Sequence, residues 1–188
     1  MKIRLLLSLY SAVLLVGCVG RTPPPAPAPD PVILPTLLSE MQRNAATVIS
    51  AGGLAAVGTG ESRSLELAFN RAKAAGRIEL ARQTAARIHR LEEEFARENG
   101  IPSDSLLLVG FNAATEDLRQ EIADQLAHAL KYETSGELFT AYALITFEPG
   151  RIAERLRAET ELYERLKTSS AWTAFNEELR AFQEAVQK

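Results

Sequence analysis

The chain has 188 residues, a formal net charge of −3, 46% hydrophobic and 24% charged side chains, the proportions of an ordinary soluble globular protein. A net negative chain without a basic block is poorly suited to nucleic acid, whose phosphates need clustered Lys and Arg. The single cysteine excludes an internal disulfide and, with only two histidines, a Cys/His zinc site.

The first 17 residues carry Lys2 and Arg4, no acid, and a twelve-residue apolar run, Leu5 to Val16. That is the layout of a secretory signal peptide, too short for a permanent transmembrane helix. Leu15-Val16-Gly17-Cys18 resembles a bacterial lipobox, which implies cleavage before Cys18 and lipid on its thiol. Val19 follows instead of the aspartate that retains many lipoproteins at the inner membrane, so the outer membrane is the expected destination. After cleavage 19 basic and 24 acidic residues remain, a net charge of −5.

Seven of the nine prolines lie between Pro23 and Pro35. Such a stretch favours extended polyproline II, and residues 18–35 are expected to act as a lipidated tether reaching on the order of 50 Å. One folded region, 36–150, follows, with a C-terminal helical segment at 151–188. Leu37 to Ala46 suits a short helix. Glycines at 52, 53, 58 and 60 bracket a small-residue strand from Leu54 to Gly58. Arg63 to Asn99 reads as one long helix, with Leu65, Phe69, Ala72, Gly76 and Leu80 on one face. Ile78, Ala81, Ala85, Ile88, Leu91 and Phe95 continue it as it drifts. Thr59, Ser62 and Ser64 offer N-caps, and Asn99-Gly100-Ile101-Pro102 ends the helix.

Leu106 to Val109 is a short apolar run that suits helix or strand equally. Thr115 to Leu126 reads as helix, with Leu118, Ile122 and Leu126 on one side. Ala129 to Thr134 and Leu138 to Phe147 read as a hairpin turning through Ser135-Gly136. Glu148-Pro149-Gly150 stops the sheet, and the helical remainder breaks at Ser169-Ser170.

Two segments resemble a known family. Ala56-Val57-Gly58-Thr59-Gly60, then the run Asn70 to Ala81 (NRAKAAGRIELA), is similar to the Lpp-twenty family of bacterial outer-membrane lipoproteins, as is the later strand FTAYALITF. The likeness covers about residues 50–150. It departs at Ala127-His128, where the family often has a Ser-Gly pair. The resemblance implies an α+β fold in which one long helix packs on a small, mainly antiparallel sheet, ordered strand-helix-helix-strand-strand-helix. Related domains occur in flagellar outer-membrane ring and assembly lipoproteins, and most members have no assigned activity.

Nothing in the sequence assembles a catalytic centre. Gly58-Thr59-Gly60 lacks the third glycine of a dinucleotide fingerprint, with Arg63 in its place. His89 falls on a solvated face beside Arg87, Arg90 and Glu92–Glu94, and His128 suits a partly buried, hydrogen-bonded site at a helix–strand junction. No cofactor and no metal are expected, and an enzyme is not. Trp172, Phe175, Leu179, Phe182 and Val186, spaced 3, 4, 3 and 4 apart, form a narrow apolar seam. The seam either folds back onto the domain or docks a second copy or another protein. Trp172 and Phe175 are assigned to the core, Phe182 and Val186 to a contact surface. The expected function is that of a non-enzymatic envelope lipoprotein, held to the membrane by lipid on Cys18 and acting through a protein partner or self-association. A regulator of a periplasmic enzyme such as a peptidoglycan synthase, or a flagellar outer-membrane ring component, are the alternatives.

Overall fold

The computed structural model describes residues 36–102 and 104–187. The leader, Cys18 and the proline-rich tether lie outside the described residues. The fold is α+β, with six α-helices and a three-stranded antiparallel sheet in the order β1-β3-β2 among the described residues.

Helix α1 spans Thr36–Ser50. It runs four residues beyond the expected Ala46, because Met41, Ala45 and Val48 continue one apolar face against Tyr142 and Leu144. Packing of that face outweighs the low helix propensity of Thr47, Val48 and Ile49. Strand β1 covers Leu54–Ser62, four residues past the expected end at Gly58. Its last residues are held by the ladder to β3 (Leu138–Phe147), pairing Thr59 with Tyr142 and Ser62 with Phe139. Strand β2 (Ala129–Ser135) pairs with the other side of β3, and Gly136 turns the hairpin with φ +60°.

The pleat sends alternate side chains to opposite faces. Ala55, Tyr142 and Leu144 meet α1, while Ala56, Ala141, Ala143 and Ile145 belong to the main core on the other face. That face is covered by α2, Leu65–Asn99, capped by Ser64, whose Oγ accepts from the Leu67 N–H, and closed by Gly100 at φ +61°. The buried face of α2 runs Ala68, Ala72, Gly76, Leu80, Thr84, Ile88, Leu91 and Phe95. It is offset from the expected one: Leu65 and Phe69 are half-buried, and Ile78 is 72% exposed. The reason is closeness. A Cβ on Gly58 would run into the carbonyl oxygen of Ala72 and the backbone nitrogen of Gly76, and a Cβ on Gly76 would stand 2.8 Å from Ile145 Cγ1. No Leu or Phe fits between backbones that near, so alanine and glycine take the contact. Phe69 is displaced to the margin, where its ring meets Tyr132 edge-on at 5.9 Å.

The ambiguous run becomes a 3-10 turn, Leu106–Leu108, leading into α3, Val109–Ala123. Helix α3 stops short of Leu126, which is 82% exposed rather than on the packed face. The C-terminal segment breaks twice, not once, into α4 (Gly150–Ala158), α5 (Thr160–Leu166) and α6 (Ser170–Val186). Glu159, at φ −79° and ψ 79°, makes the extra bend and lets both Leu156 and Leu162 be buried. Ser169 makes the expected break, its Oγ accepting from the Trp172 N–H. Ile152, Leu156, Leu166 and Trp172 share one core with α2 and the sheet.

Candidate interaction site

The seam on α6 divides along its length. Trp172, Phe175 and Leu179 are buried in the protein's own core, so of the five seam residues only Phe182 and Val186 are left to form a contact surface. Trp172 is fixed by edge-on packing with Tyr163 at 5.5 Å and by Phe175 at 5.6 Å. Phe182 is half-buried and Val186 is 65% exposed. The helix is amphipathic throughout, but the body it packs against ends near Phe182.

Arg87 pins α6 at that point. It donates from Nη1 to the carbonyl oxygen of Gly52 at 3.0 Å and from Nη2 to Glu178 Oε2 at 2.7 Å, and its guanidinium lies 5.6 Å from the centre of the Phe175 ring. Read from the sequence as part of a solvated face, Arg87 is instead a clamp joining α2, α6 and the turn before β1. That turn is shaped for α6. Gly52 has φ +94°, and a Cβ on Gly53 would come within 2.8 Å of Phe182 Cε2. The glycine pair therefore receives Phe182 as well as bending the chain, a role no local signal could have revealed.

Beyond Phe182 opens a groove of about 600 Å³. It is lined by Thr47 and Val48 in the last turn of α1, by Ala51 just after it, by Phe147 at the end of β3, and by Phe182, Ala185 and Val186 at the end of α6. Glu121, Gln125, His128 and Arg151 also line it. Glu121 accepts from Arg151 Nε at 2.7 Å and from Arg155 Nη2 at 3.3 Å. Burial works to raise its pKa, but the hydrogen bonds and charges of the two arginines outweigh it and hold the carboxyl below its ordinary value. Such a group serves as an ion pair and is poorly matched to proton transfer near neutral pH.

His128 is exposed rather than partly buried. Its backbone N–H donates to the Leu144 carbonyl at 2.7 Å, and the residue lines the groove. His89 lies on the surface as expected, with Nδ1 3.3 Å from Glu92 Oε2 and Nε2 3.3 Å from Glu93 Oε1. Among the described residues no group of three or more His, Cys, Asp or Glu side chains is placed to hold a metal ion. No helix among them is long and apolar enough to cross a membrane.

No family model, curated protein or solved structure matches the chain. What the site offers is a groove lined by apolar side chains together with the Glu121–Arg151 ion pair, a lining suited to holding a segment of another molecule.

Proposed function

We propose that this protein is a non-enzymatic lipoprotein of the bacterial outer membrane, anchored through lipid on Cys18 and acting by binding to other proteins. The observation that carries this reading is positional: the only cysteine of the chain closes an apolar run of signal-peptide length, directly after Leu15-Val16-Gly17. The likeness of 56–60 and 70–81 to the Lpp-twenty lipoproteins supports it from a separate stretch of sequence. The groove beside Phe182 and Val186 supports the binding half, since it joins apolar surface to the ion pair of Glu121 and Arg151.

Lipid on Cys18 secures the chain because each buried CH₂ contributes ~0.8 kcal/mol, and two or three acyl chains give stable attachment where one does not. Cys18→Ala tests this directly. The variant should lose metabolic labelling by palmitate and remain as an uncleaved or mislocalised precursor; labelling equal to wild type would sink the anchoring reading. The binding half is tested by Val186→Glu, which places a charge at the groove without touching the core. It should melt like wild type yet lose partners cross-linked in intact cells, and an unchanged cross-linking pattern would remove the groove from the account.

A further inference from the structure

The two margins of the sheet differ sharply. In β1 five of nine residues are buried, between α1 on one face and α2 on the other. In β2 none of the seven residues is buried. Like β1 it is an edge strand, and alternate residues of such a strand turn their backbone N–H and C=O groups away from the sheet. Its α2-side face carries Leu130, 41% exposed, and Tyr132, 47% exposed. Its α1-side face carries Lys131 and Glu133, which reach their own chain at Glu40 and at the Tyr142 hydroxyl. An open edge backed by apolar side chains is a template for another strand.

We infer that β2 pairs with β2 of a second copy, antiparallel about a two-fold axis at Tyr132, joining two three-stranded sheets into one of six strands. Charge selects both the partner and the register. Aligning all of Ala129–Ser135 with itself in antiparallel sense sets Tyr132 opposite Tyr132 of the second copy. In that same register Lys131 faces the second copy's Glu133, and Glu133 its Lys131, while Leu130 faces Thr134. The next registers that keep both α2 helices on one face set Lys131 against Lys131 or Glu133 against Glu133. Like charges directly opposite one another destabilise a strand pair, and opposite charges stabilise it. The full-length register is thus also the one with complementary charge, as the self-complementary contact of a two-fold dimer requires.

Strands of seven residues make a small interface, below ~1,200 Å², so a concentration-dependent monomer–dimer equilibrium is expected. The inference goes beyond the binding reading given above and does not depend on the groove or on the lipid. A chain that stays monomeric would overturn β2 pairing and leave both of those standing.

Sedimentation velocity of the full chain in detergent, over a concentration series, reads the dimer. Lys131→Glu and Glu133→Lys each replace two attractive cross-strand pairs by two repulsive ones and should weaken dimerisation roughly tenfold or more. Mixing the two variants restores opposite charges at both positions, so a heterodimer of near wild-type affinity should form. Circular dichroism melts establish that each variant is folded. If a reversal costs the fold through its contact with Glu40 or Tyr142, Tyr132→Asp sets like charges on the axis and disturbs neither; it should weaken the dimer comparably. A monomeric wild type, a dimer indifferent to these substitutions, or folded single variants that fail to associate when mixed would each overturn the proposal.

Discussion

Helices α2 and α6 reach the same core by opposite means. Where α2 crosses the sheet it has shed side chains: Gly76 and the alanines at 68 and 72 meet Gly58 and Gly60 of β1 almost backbone to backbone. Helix α6 arrives with bulk, filling its site with Trp172, Phe175 and Leu179. The first contact leaves no slack, because the atoms that would have to move belong to the main chain. The second is graded: it fades along the helix from buried Trp172 to exposed Val186, and each position contributes in proportion to what it covers.

If that contrast holds, the largest effect belongs to a single added side chain at the glycine contact. Gly58→Val should cost at least about 3 kcal/mol, since overpacking against backbone cannot be relieved by a rotamer change. Urea denaturation would show it as a collapse of the midpoint. A variant within 1 kcal/mol of wild type, an allowance on the order of ordinary surface effects, would mean that α2 can ride away from the sheet.

Truncation on α6 should follow the gradient. Phe175→Ala is expected to cost about 3–5 kcal/mol as a buried aromatic deletion. Phe182→Ala, half-buried over Gly52 and Gly53, should cost markedly less, and thermal melts of the pair give the ratio. Equal losses would mean that the end of α6 is as firmly packed as its middle.

The start of α6 sharpens the comparison further. Ser169 Oγ accepts from the Trp172 N–H at 3.1 Å and donates to the Leu166 carbonyl at 2.7 Å. Ser169→Ala removes a helix cap and should cost about 1 kcal/mol, seen as a lowered unfolding midpoint with no loss of secondary structure.

The smallest effect is a dependence on pH. The native state holds the Glu121 carboxyl below its ordinary pKa, so its contribution is complete above the unfolded value of about 4.3 and is lost as pH falls through the native one. Stability measured from neutral pH downward should therefore fall less steeply in Glu121→Gln than in wild type. Identical slopes would show that Arg151 and Arg155 do not stabilise the ionised carboxylate in solution.

Much of the architecture could be read from residues alone. The long helix with its Asn99-Gly100 end, the hairpin turning at Ser135-Gly136 and the break before Ser170 each rest on a signal local to the chain: apolar periodicity, a residue suited to positive φ, or a cap. Such signals act over a few residues and need no distant partner. The proposal of lipid on Cys18 rests on the same kind of signal, the apolar run that precedes it, and lies outside the described residues.

Tertiary structure decided the rest. Nothing local to α2 says that Ala68 and not Phe69 faces the sheet; the glycines of β1, by admitting the helix so closely, make that choice. Arg87 reads as one more charge on a polar face until Gly52, Phe175 and Glu178 are brought around it. The apolar seam of α6 has one periodicity along its length, yet it is core at Trp172 and surface at Val186, because the body beneath it ends between them. Periodicity tells a helix which side is apolar. How far that side is covered depends on the neighbours that distant parts of the chain supply.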